Sequence, residues 1–560
     1  MTRVYEAVTD MLADEGADIA FAIMGDANQE LLVDMAERGG IRLVHCRHEQ
    51  NAVGMADGYT RFSSEKRIGV AAVTMGPGLT NTATSLVAAR ERRSPVLVLA
   101  GAPSLSDLRN PQRFDQLAFS RLLAGAGEVV ESPDGLEAAM RDALGHIHAG
   151  RGPFVLNLPA SVQKQSMRPG WTYRRRYVAR APTDPAEGDL GRATDLIRCA
   201  ERPAILCGLG AVLSDAGAEI GRLAERLGAP VATSLPARGF LGNTTLHLGA
   251  CGGLGEGVAH RVLREADVII VFGASLTQWT TQSGTALGRS KLVQIDLDPD
   301  VFGRHTATTP EVAVLGDAKL TAARILNALG DRPRASTLAP LVEQARREPR
   351  PAADDSRPDG GADPRDVARC LDELLPPDQV VVLAGAHANF YVSQALRITS
   401  ARRFAYVLEF CALGQGLGIA LGATFARPGQ RINYVVTDGE LAMSLQDLAT
   451  AASYHVPLSI VVLSDGGYGQ ERHGLRHKGL ADHHAMMPAP DFAQLMRGFG
   501  GHGDRHTPGA DLMASLKGFF SASERRPGPS LLHIDVDGGI ENHVSLEIAR
   551  SLGKERLEEQ

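Results

Sequence analysis

The segment INYVVTDGELAMSLQDLATAASYHVPLSIVVLSDGGYG (432–469) decides the fold, because it reads as one strand–helix–strand unit. One apolar strand ends at Asp438, a helix is predicted over 441–454, and a second strand ends at Asp465. A helix of ~14 residues at about 1.5 Å per residue is as long as a strand of about six residues at about 3.3 Å per residue. The helix therefore returns the chain to its starting edge, and the two strands are predicted to be parallel.

Short apolar strands separated by helical stretches recur along the whole chain. Because these strands are apolar throughout rather than alternating, we expect parallel sheets covered by helices on both faces, which is an α/β fold. Such strands are predicted at 70–74, 95–101, 154–159, 203–208, 268–274, 292–298, 380–385, 432–438, 458–465 and 530–537.

Two polar stretches interrupt this pattern, one at 165–190 and one at 331–365, and the second is rich in Pro, Arg and Asp. They divide the 560 residues into units of ordinary domain size. We therefore predict three doubly wound parallel-sheet domains. Their predicted ranges are 1–168, 186–330 and 366–545, with a linker at 331–365.

The composition narrows the class of protein. With 44% hydrophobic and 22% charged residues the chain is globular. Its net charge of −7 and the lack of a basic block argue against a nucleic-acid partner. Its apolar runs are shorter than the ~18 residues that span a bilayer, and its first residues do not resemble a signal peptide. We expect a cytoplasmic protein that binds neither nucleic acid nor membrane.

Asp438 and Asp465 are predicted to meet at one sheet edge, since the carboxyl ends of neighbouring parallel strands lie together. Two carboxylates there, beside the free N–H groups that follow Gly439, suit a divalent cation bound to a diphosphate. The alternative is a helix-capping Asp and a turn Asp without any metal. Spacing alone does not separate the two interpretations.

The stretch TDGE…LSDGGYG is similar to the cofactor fingerprint of thiamine-diphosphate enzymes, in which GDG is followed by an Asn pair. The resemblance implies Mg²⁺ held by Asp438, Asp465 and the carbonyl of Gly467. It also implies that Gly439 and Glu440 contact the coenzyme.

This chain departs from that fingerprint at two places. Thr437 replaces the first glycine, and Ser464-Asp465 replaces the Asn pair. An aspartate keeps an oxygen ligand but adds a negative charge, so we expect Mg²⁺ to be retained.

The stretch VHCRHEQNAVGMADGYTR (44–61) resembles the family signature that supplies a glutamate to the coenzyme aminopyrimidine, here Glu49. A carboxyl group that shares its proton with a ring nitrogen favours the reactive tautomer of the coenzyme. CALGQGLGIALGA (411–423) resembles the segment that bends the coenzyme, with Leu413 as the supporting residue and the Cys411 carbonyl as an acceptor.

AGAHANF (384–390) resembles the stretch that contacts the diphosphate, with Ala386 and His387 as candidates. These motifs follow one another along most of the chain in the order of the acetolactate-synthase-like branch. Membership of that branch implies pyrimidine-binding, central and diphosphate-binding domains. It also implies a homodimer or homotetramer in which Glu49 and Asp438 of one site come from different chains.

The branch decarboxylates a 2-oxo acid and transfers the acyl anion equivalent to a carbonyl acceptor, or releases an aldehyde. NPQRFDQLAF (110–119) resembles a carboligase stretch, with Gln112 in the Gln position. We therefore expect a carboligase or lyase with a 2-oxo acid donor and a carbonyl acceptor. Ala160 stands where acetolactate synthases carry Lys, so a 2-oxo acid acceptor is predicted to be handled differently.

Two further acids favour an alternative, a simple decarboxylase. IMGDANQELL (23–32) is similar to a turn of pyruvate-decarboxylase-type enzymes in which Asp26 matches a catalytic acid, and Glu471 matches an acid near the reacting carbon. A third possibility is a catalytically inactive relative that only binds the coenzyme. True acetolactate synthases also carry FAD; because Ser275 stands where their Arg is expected, FAD is possible but not predicted.

The segment RHGLRHKGLADHH (472–484) carries four histidines. Their spacing is compatible with a metal site, but a solvated, mobile loop over the active site is the favoured interpretation.

Overall fold

The computed structural model describes residues 1–65, 67–174, 182–242, 247–255, 257–304, 309–330, 334–347 and 360–545. In these residues the chain forms three six-stranded sheets, and the pairings within each sheet are parallel. Helices cover the sheets, which confirms the predicted α/β fold of three parallel-sheet units. No helix in the described ranges combines the length and the apolar character needed to cross a bilayer.

The N-terminal sheet has the strand order β2-β1-β3-β4-β6-β5. Its strands are β1 Ile19–Ala22, β2 Arg42–His45, β3 Gly69–Val73, β4 Val96–Ala102, β5 Gly127–Val129 and β6 Phe154–Pro159. Its helices are α1 Val4–Asp14, α2 Gln29–Glu37, α3 Glu49–Phe62, α4 Pro77–Thr80, α5 Ala83–Arg92, α6 Gln116–Ala124, α7 Leu136–His148 and α8 Ala160–Gln163.

The central sheet has a different order, β12-β11-β10-β7-β8-β9. Its strands are β7 Pro203–Cys207, β8 Val231–Thr233, β9 His247–Ala250, β10 Val268–Phe272, β11 Lys291–Asp296 and β12 Val312–Leu315. Its helices are α9 Glu187–Cys199, α10 Leu209–Leu213, α11 Gly217–Leu227, α12 Gly257–Glu265, α13 Gln278–Thr281, α14 Ala318–Leu329 and α15 Ala339–Arg347. Helix α15 lies within the segment 331–365 that was predicted as a linker, and part of that segment falls outside the described residues.

The C-terminal sheet has the order β14-β13-β15-β16-β18-β17. Its strands are β13 Val380–Ala384, β14 Phe404–Val407, β15 Ile432–Thr437, β16 Leu458–Ser464, β17 His502–Arg505 and β18 Ser530–Asp535. Its helices are α16 Pro364–Leu374, α17 Ala388–Ala395, α18 Gly416–Ala426, α19 Asp438–Ala442, α20 Leu448–Ser453, α21 Gly469–His477, α22 Phe492–Gly498 and α23 Leu512–Arg525.

Helices α3 and α18 join the N-terminal and C-terminal sheets through one shared hydrophobic core. Small residues allow the two backbones to touch. A Cβ added at Gly58 would lie 2.2 Å from the carbonyl oxygen of Ile419, and one at Gly422 would lie 2.2 Å from that of Met55. Only glycine, which has no Cβ, fits at these two positions, so α3 and α18 hold the two sheets at a fixed, close separation.

The predicted single helix over 441–454 is wrong, because the chain forms two short helices there, α19 and α20. Asp447 lies between them and is fully buried. Its carboxylate accepts hydrogen bonds from the backbone N–H of Arg47 at 2.9 Å and from the side-chain amide of Asn51 at 2.6 Å. Both donors belong to the N-terminal part of the chain. Because the Asp447 carboxylate bonds to these distant donors, the backbone leaves the regular helix at this residue.

The histidine-rich segment also differs from its favoured interpretation as a solvated loop. Its first part forms helix α21, and His473 within it is 1% exposed. Asp482 accepts from Arg472 at 3.3 Å and from Arg476 at 2.6 Å, which fixes the following turn against the helix. This packing was not visible in the spacing of the histidines.

Candidate active site

Asp438 and Asp465 follow two hydrogen-bonded neighbours, β15 and β16, at the carboxyl edge of the C-terminal sheet. The strands are in register up to Thr437 and Leu463, so the two aspartates emerge side by side. Asp438 is 3% exposed, and the side chain of Asp465 is 4% exposed. The structure therefore brings the two carboxylates together, as the sequence predicts.

The carboxylate of Asp438 is held by three donors. Its Oδ1 accepts from the backbone N–H of Gly439 at 2.8 Å, and its Oδ2 accepts from the Ser464 hydroxyl at 2.9 Å and the Gly466 N–H at 3.0 Å. Burial, followed by the negative charge of Asp465, raises the pKa of Asp438 above its ordinary value. A buried carboxylate whose pKa is raised by a second carboxylate beside it forms a site in which a divalent cation would relieve the repulsion.

Asp465 has one oxygen occupied and one free. Its Oδ2 lies 2.7 Å from His387 Nδ1, whereas its buried Oδ1 has no hydrogen-bond partner in the described part of the chain. The carbonyl oxygen of Gly467 lies close to Gly439: a Cβ added at Gly439 would be 3.6 Å from it. A buried, unpartnered carboxylate oxygen is rare, and it fits the donor set of a hard cation.

This donor set differs from a histidine- or cysteine-rich metal centre. In the described ranges no group of three or more His, Cys, Asp or Glu side chains is arranged to hold a metal ion. The site offers two carboxylates and a backbone carbonyl instead. Such a set leaves room for oxygens of a bound phosphate, which is how Mg²⁺ is usually held at diphosphate sites.

Glu440 is buried, and its carboxylate spans the loop that carries Leu413. Its Oε2 accepts from the Gly414 N–H at 2.7 Å and its Oε1 accepts from the Gly416 N–H at 2.8 Å. Burial raises the pKa of Glu440 to about 7, although these backbone donors act in the opposite direction. The side chain therefore caps the start of α18 and fixes the loop, and its two oxygens already have donors.

His387 is 2% exposed and has a strained backbone, with φ 49° and ψ −97°. Its Nε2 lies 2.9 Å from the Ile540 carbonyl oxygen and 3.0 Å from His473 Nε2. Burial opposes the charged ring, but the hydrogen bond and charge of Asp465 outweigh it and raise the pKa of His387. The ring was predicted to contact a diphosphate, and in this structure it contacts Asp465.

These residues open onto a cleft of about 580 Å³ between the C-terminal and central sheets. Apolar side chains from both sheets form much of its wall. Those side chains are Leu235, Leu254, Trp279, Phe390, Tyr406 and Leu413. A large, mainly apolar cleft with a few convergent polar groups at one end is typical of a cofactor or substrate site.

The predicted site residues fall into two groups. The first group lines the cleft and comprises Ala386, His387, Cys411, Leu413, Gly439, Glu440, Asp465, Gly467 and Glu471, with Asp438 buried directly beside them. The second group, Glu49, Asp26 and Gln112, comes from the N-terminal sheet and is not among the residues that line the cleft.

Glu49 begins α3 and is partly exposed. Its Oε2 accepts from the Asn81 side-chain amide at 3.0 Å, and Gln50 beside it donates to the Gly414 carbonyl at 2.7 Å. Asp26 is exposed in the turn after β1. The backbone of Gln112 packs tightly against Gly76.

Sequence reasoning missed a buried ion-pair network at the rim of the cleft. Arg61 pairs with Asp57 at 2.6 Å and with Glu409 at 2.9 Å, and Arg92 pairs with Glu409 at 3.1 Å. Arg92 and Glu409 line the cleft. Arg61 and Asp57 are four residues apart in α3, but Glu409 lies more than three hundred positions from both arginines, so no local pattern could have revealed its pairing.

Comparison with protein-family models matches three parts of the chain. Residues 2–119 match "Thiamine pyrophosphate enzyme, N-terminal TPP binding domain", and residues 190–325 match "Thiamine pyrophosphate enzyme, central domain". Residues 384–534 match "Thiamine pyrophosphate enzyme, C-terminal TPP binding domain". Each match falls in the part of the chain that builds one of the three sheets, and the first match ends before β5 and β6.

Curated relatives cover nearly the whole chain. The acetolactate synthase large subunit of Haemophilus influenzae is 26% identical over 554 residues, which is 96% of this chain and 95% of the relative. The isozyme 3 large subunit of Escherichia coli is 26% identical over 96% of this chain and 95% of its own. Acetolactate synthase 3 of Brassica napus is 28% identical over 83% of this chain and 72% of its own.

The three matched domains account for most of the chain, and they meet around the cleft that holds the paired carboxylates. This chain belongs to the thiamine pyrophosphate enzymes, in their acetolactate synthase-like branch, and is an enzyme that forms or cleaves carbon–carbon bonds.

Proposed function

We propose that this enzyme is a carboligase or lyase that uses thiamine diphosphate and Mg²⁺ to decarboxylate a 2-oxo acid and to transfer the acyl unit to a carbonyl acceptor. The observation that carries the proposal is the buried, unpartnered Oδ1 of Asp465 beside Asp438, at the end of a cleft large enough for a coenzyme. When bound, thiamine diphosphate supplies a nucleophilic carbon and an electron sink for the bond that breaks.

Each residue of the C-terminal sheet has a proposed role that its position supports. Asp438, Asp465 and the Gly467 carbonyl hold Mg²⁺. The N–H of Gly439 is taken by Asp438, so Gly439 serves mainly by leaving room for Tyr468, whose ring would lie 3.2 Å from an added Cβ. Leu413 lines the cleft at the tip of the loop that Glu440 fixes, which suits a residue that shapes the coenzyme.

The remaining cleft residues have smaller proposed roles. Ala386 and Cys411 both line the cleft, which suits contacts of Ala386 with the diphosphate and of the Cys411 carbonyl with the aminopyrimidine. His387 acts on Asp465 rather than on the diphosphate.

We also propose that a second chain completes each site. In this proposal Glu49 shares a proton with the aminopyrimidine, yet it is not among the residues that line the cleft of its own chain. Asp26 and Gln112 share this position on the N-terminal sheet. A homodimer or homotetramer in which the N-terminal sheet of one chain faces the cleft of another would bring the two groups together, and light scattering of the active enzyme tests it.

The alternative reaction, release of an aldehyde without ligation, is favoured by one observation. Glu471 is exposed and lines the cleft, where an acid could deliver a proton to the product. The proposal that FAD is not required rests on Ser275, which lines the central-sheet side of the cleft, and ultraviolet–visible spectra of the purified enzyme test it.

A product assay separates the two reactions. The enzyme is incubated with a panel of 2-oxo acids and Mg²⁺-thiamine diphosphate, with and without an added aldehyde or second 2-oxo acid, and the products are identified by mass spectrometry. We expect a ligated hydroxyketone or hydroxy-oxo acid together with CO₂. Aldehyde as the only organic product would contradict ligation and support the simple decarboxylase.

A further inference from the structure

We propose that Glu409 is a positioning residue of the coenzyme site, which holds the loop 409–414 so that Leu413 stays in the wall of the cleft. Two arginines of the N-terminal unit, Arg61 and Arg92, hold Glu409 in turn. The inference rests on the proposed thiamine diphosphate function, and it adds a link between the N-terminal unit and the loop that shapes the coenzyme in the same chain.

The first argument is how the Glu409 carboxylate is held. Its Oε1 accepts from Arg61 at 2.9 Å and from Arg92 at 3.1 Å. Its Oε2 is buried and has no hydrogen-bond partner among the residues that the structure describes. The two arginines therefore share one oxygen, and the grip on this carboxylate comes from the N-terminal unit.

The second argument is that Arg61 is itself fixed. Its side chain is 3% exposed, and its guanidinium makes two bonds to Asp57, from Nε to Oδ1 at 2.8 Å and from Nη2 to Oδ2 at 2.6 Å. The Ser94 hydroxyl also donates to Oδ1 of Asp57, at 2.6 Å. A forked pair of this kind fixes orientation as well as charge, so α3 presents a rigid donor to Glu409.

The third argument is the strained backbone that follows Glu409. Phe410 has φ 61° and ψ 7°, and Cys411 has φ 50°, a left-handed conformation that non-glycine residues rarely adopt. Phe410 is 59% exposed, so burial of its ring does not explain the strain. Such strain persists only where the surroundings enforce it, and here they are the anchors at the two ends of the loop.

The second anchor of the loop is at Gly414. Its carbonyl accepts from the Gln50 side chain at 2.7 Å, and its N–H donates to Glu440 at 2.7 Å. Between the two anchors, Cys411 and Leu413 line the cleft. Since α3 supplies a donor at each end, the position of the loop follows that of the helix.

The consequence concerns the ring end of the coenzyme. Without the Glu409 carboxylate the loop keeps only its anchor at the far end, so the strained turn can relax and shift Leu413. Asp438 and Asp465 lie on other loops and keep their own hydrogen bonds. The defect should therefore spare the cation end of the site.

The test compares two probes by calorimetric titration into the full-length protein at saturating Mg²⁺. Inorganic diphosphate lacks the rings of thiamine diphosphate and tests the cation end alone. We expect Glu409→Gln to weaken binding of thiamine diphosphate by about 10-fold or more, since a displaced apolar contact the size of one methylene group is worth that much. Binding of inorganic diphosphate should change by less than about threefold, because sites without shared partners act independently. Unchanged binding of thiamine diphosphate, or a loss at least as large for inorganic diphosphate, would overturn the proposal.

A second variant decides if Glu409→Gln does not fold. Arg92→Gln/Glu409→Gln removes one charge of each sign and leaves Arg61 paired with Asp57, so the buried charges stay balanced. Its reference is Arg92→Gln, which keeps the pair of Arg61 and Glu409. The double variant should bind thiamine diphosphate about 10-fold or more weakly than this reference. Equal binding, or failure of the charge-balanced variant to fold, would overturn the proposal, because Glu409 would then serve the fold rather than the loop.

Glu137→Gln is the matched control. Glu137 also accepts from two side chains, Trp171 at 2.7 Å and Arg168 at 3.2 Å, but it is not among the residues that line the cleft. The substitution should leave both affinities unchanged. A loss as large as that in Glu409→Gln would count against a specific role for Glu409 and overturn the proposal.

The outcome for the proposed function is read from the unmutated enzyme. If that enzyme shows no Mg²⁺-dependent binding of thiamine diphosphate, the proposed function fails. If it binds normally and Glu409→Gln binds equally well, only the inference about Glu409 fails.

Discussion

The N-terminal and C-terminal sheets share one strand order and yet present different chemistry at the same edge. In both sheets the order of strands is second, first, third, fourth, sixth, fifth along their own part of the chain. The third strand of the C-terminal sheet, β15, is followed by the buried Asp438, whereas β3 of the N-terminal sheet is followed by Thr74 and a Gly-Pro-Gly turn.

The first strands of the two sheets differ in the same way. His387 follows β13 and is buried against Asp465, while Asp26 follows β1 and is exposed. The shared topology thus provides a crevice in each sheet, and only the residues at the strand ends decide which one can hold a cation. The N-terminal sheet instead offers Glu49 at the start of α3, a helix that packs against α18 of the C-terminal unit.

The largest effect is expected where the N-terminal sheet contributes directly to chemistry. Glu49→Gln should lower turnover by about 100- to 10,000-fold, since a positioned acid–base group contributes that much. The melting temperature and the affinity for Mg²⁺ should stay close to those of the unmutated enzyme, because the side chain is partly exposed. Steady-state kinetics and calorimetry measure these quantities. Full activity of this variant would contradict a catalytic role for Glu49 and, with it, the proposed chemical difference between the two sheets.

The next effect concerns the cation end of the C-terminal sheet. Asp438→Asn should weaken Mg²⁺-dependent coenzyme binding by at least about 100-fold, because a direct ligand should matter at least as much as its supporting partners. Titration of thiamine diphosphate at fixed Mg²⁺, followed by tryptophan fluorescence, measures it. Asp134→Asn, at an exposed position of the N-terminal unit, is the matched control and should bind normally.

A pH dependence is expected from Glu440. Its pKa in the folded protein, about 7, lies above the ordinary value of 4.5, so the folded state holds this proton more tightly than the unfolded state. The free energy of unfolding should therefore fall as the pH rises from about 4.5 to about 7, by on the order of 3 kcal/mol. Urea unfolding at several pH values measures the slope. In Glu440→Gln the slope should be smaller, and an identical slope in both proteins would contradict the assignment.

The smallest effect tests the space around the aspartate–histidine pair. Gly469→Ala should destabilise the protein by about 1–3 kcal/mol and weaken Mg²⁺ binding, since the added methyl group collides with Asp465 and His387. Gly474→Ala lies in the same helix, α21, where an added Cβ has no neighbour within 4 Å. It is the control and should be neutral or stabilising. Equal behaviour of the two variants would mean that the pair tolerates displacement.

The parts of the structure that local sequence governs were predictable. The apolar strands at 154–159, 380–385 and 432–438 appear as β6, β13 and β15, because continuous apolar runs have few alternatives to a buried parallel strand. Short strands such as β5 and β17 were missed, since three or four residues carry too little pattern. The convergence of Asp438 and Asp465 followed from strand order and the crossover rule.

Features that depend on distant partners could not be predicted in the same way. The break between α19 and α20 arises because Asp447 accepts hydrogen bonds from Arg47 and Asn51, which lie about four hundred positions away in the sequence. The contact of His387 with Asp465 likewise joins two residues that only the completed fold brings together. Roles inferred for Gln112, Asp26 and Glu471 stay predictions, because they concern substrates rather than the folded chain.

The glycine contacts between α3 and α18 have one more consequence. Because backbone meets backbone at Gly58 and Gly422, the joint between α3 and α18 cannot accept a larger side chain at either point. Changes in substrate preference must then arise in the loops around the cleft, where new side chains find free volume. A lineage that diversified its chemistry would be expected to vary those loops while Gly58 and Gly422 stay glycine.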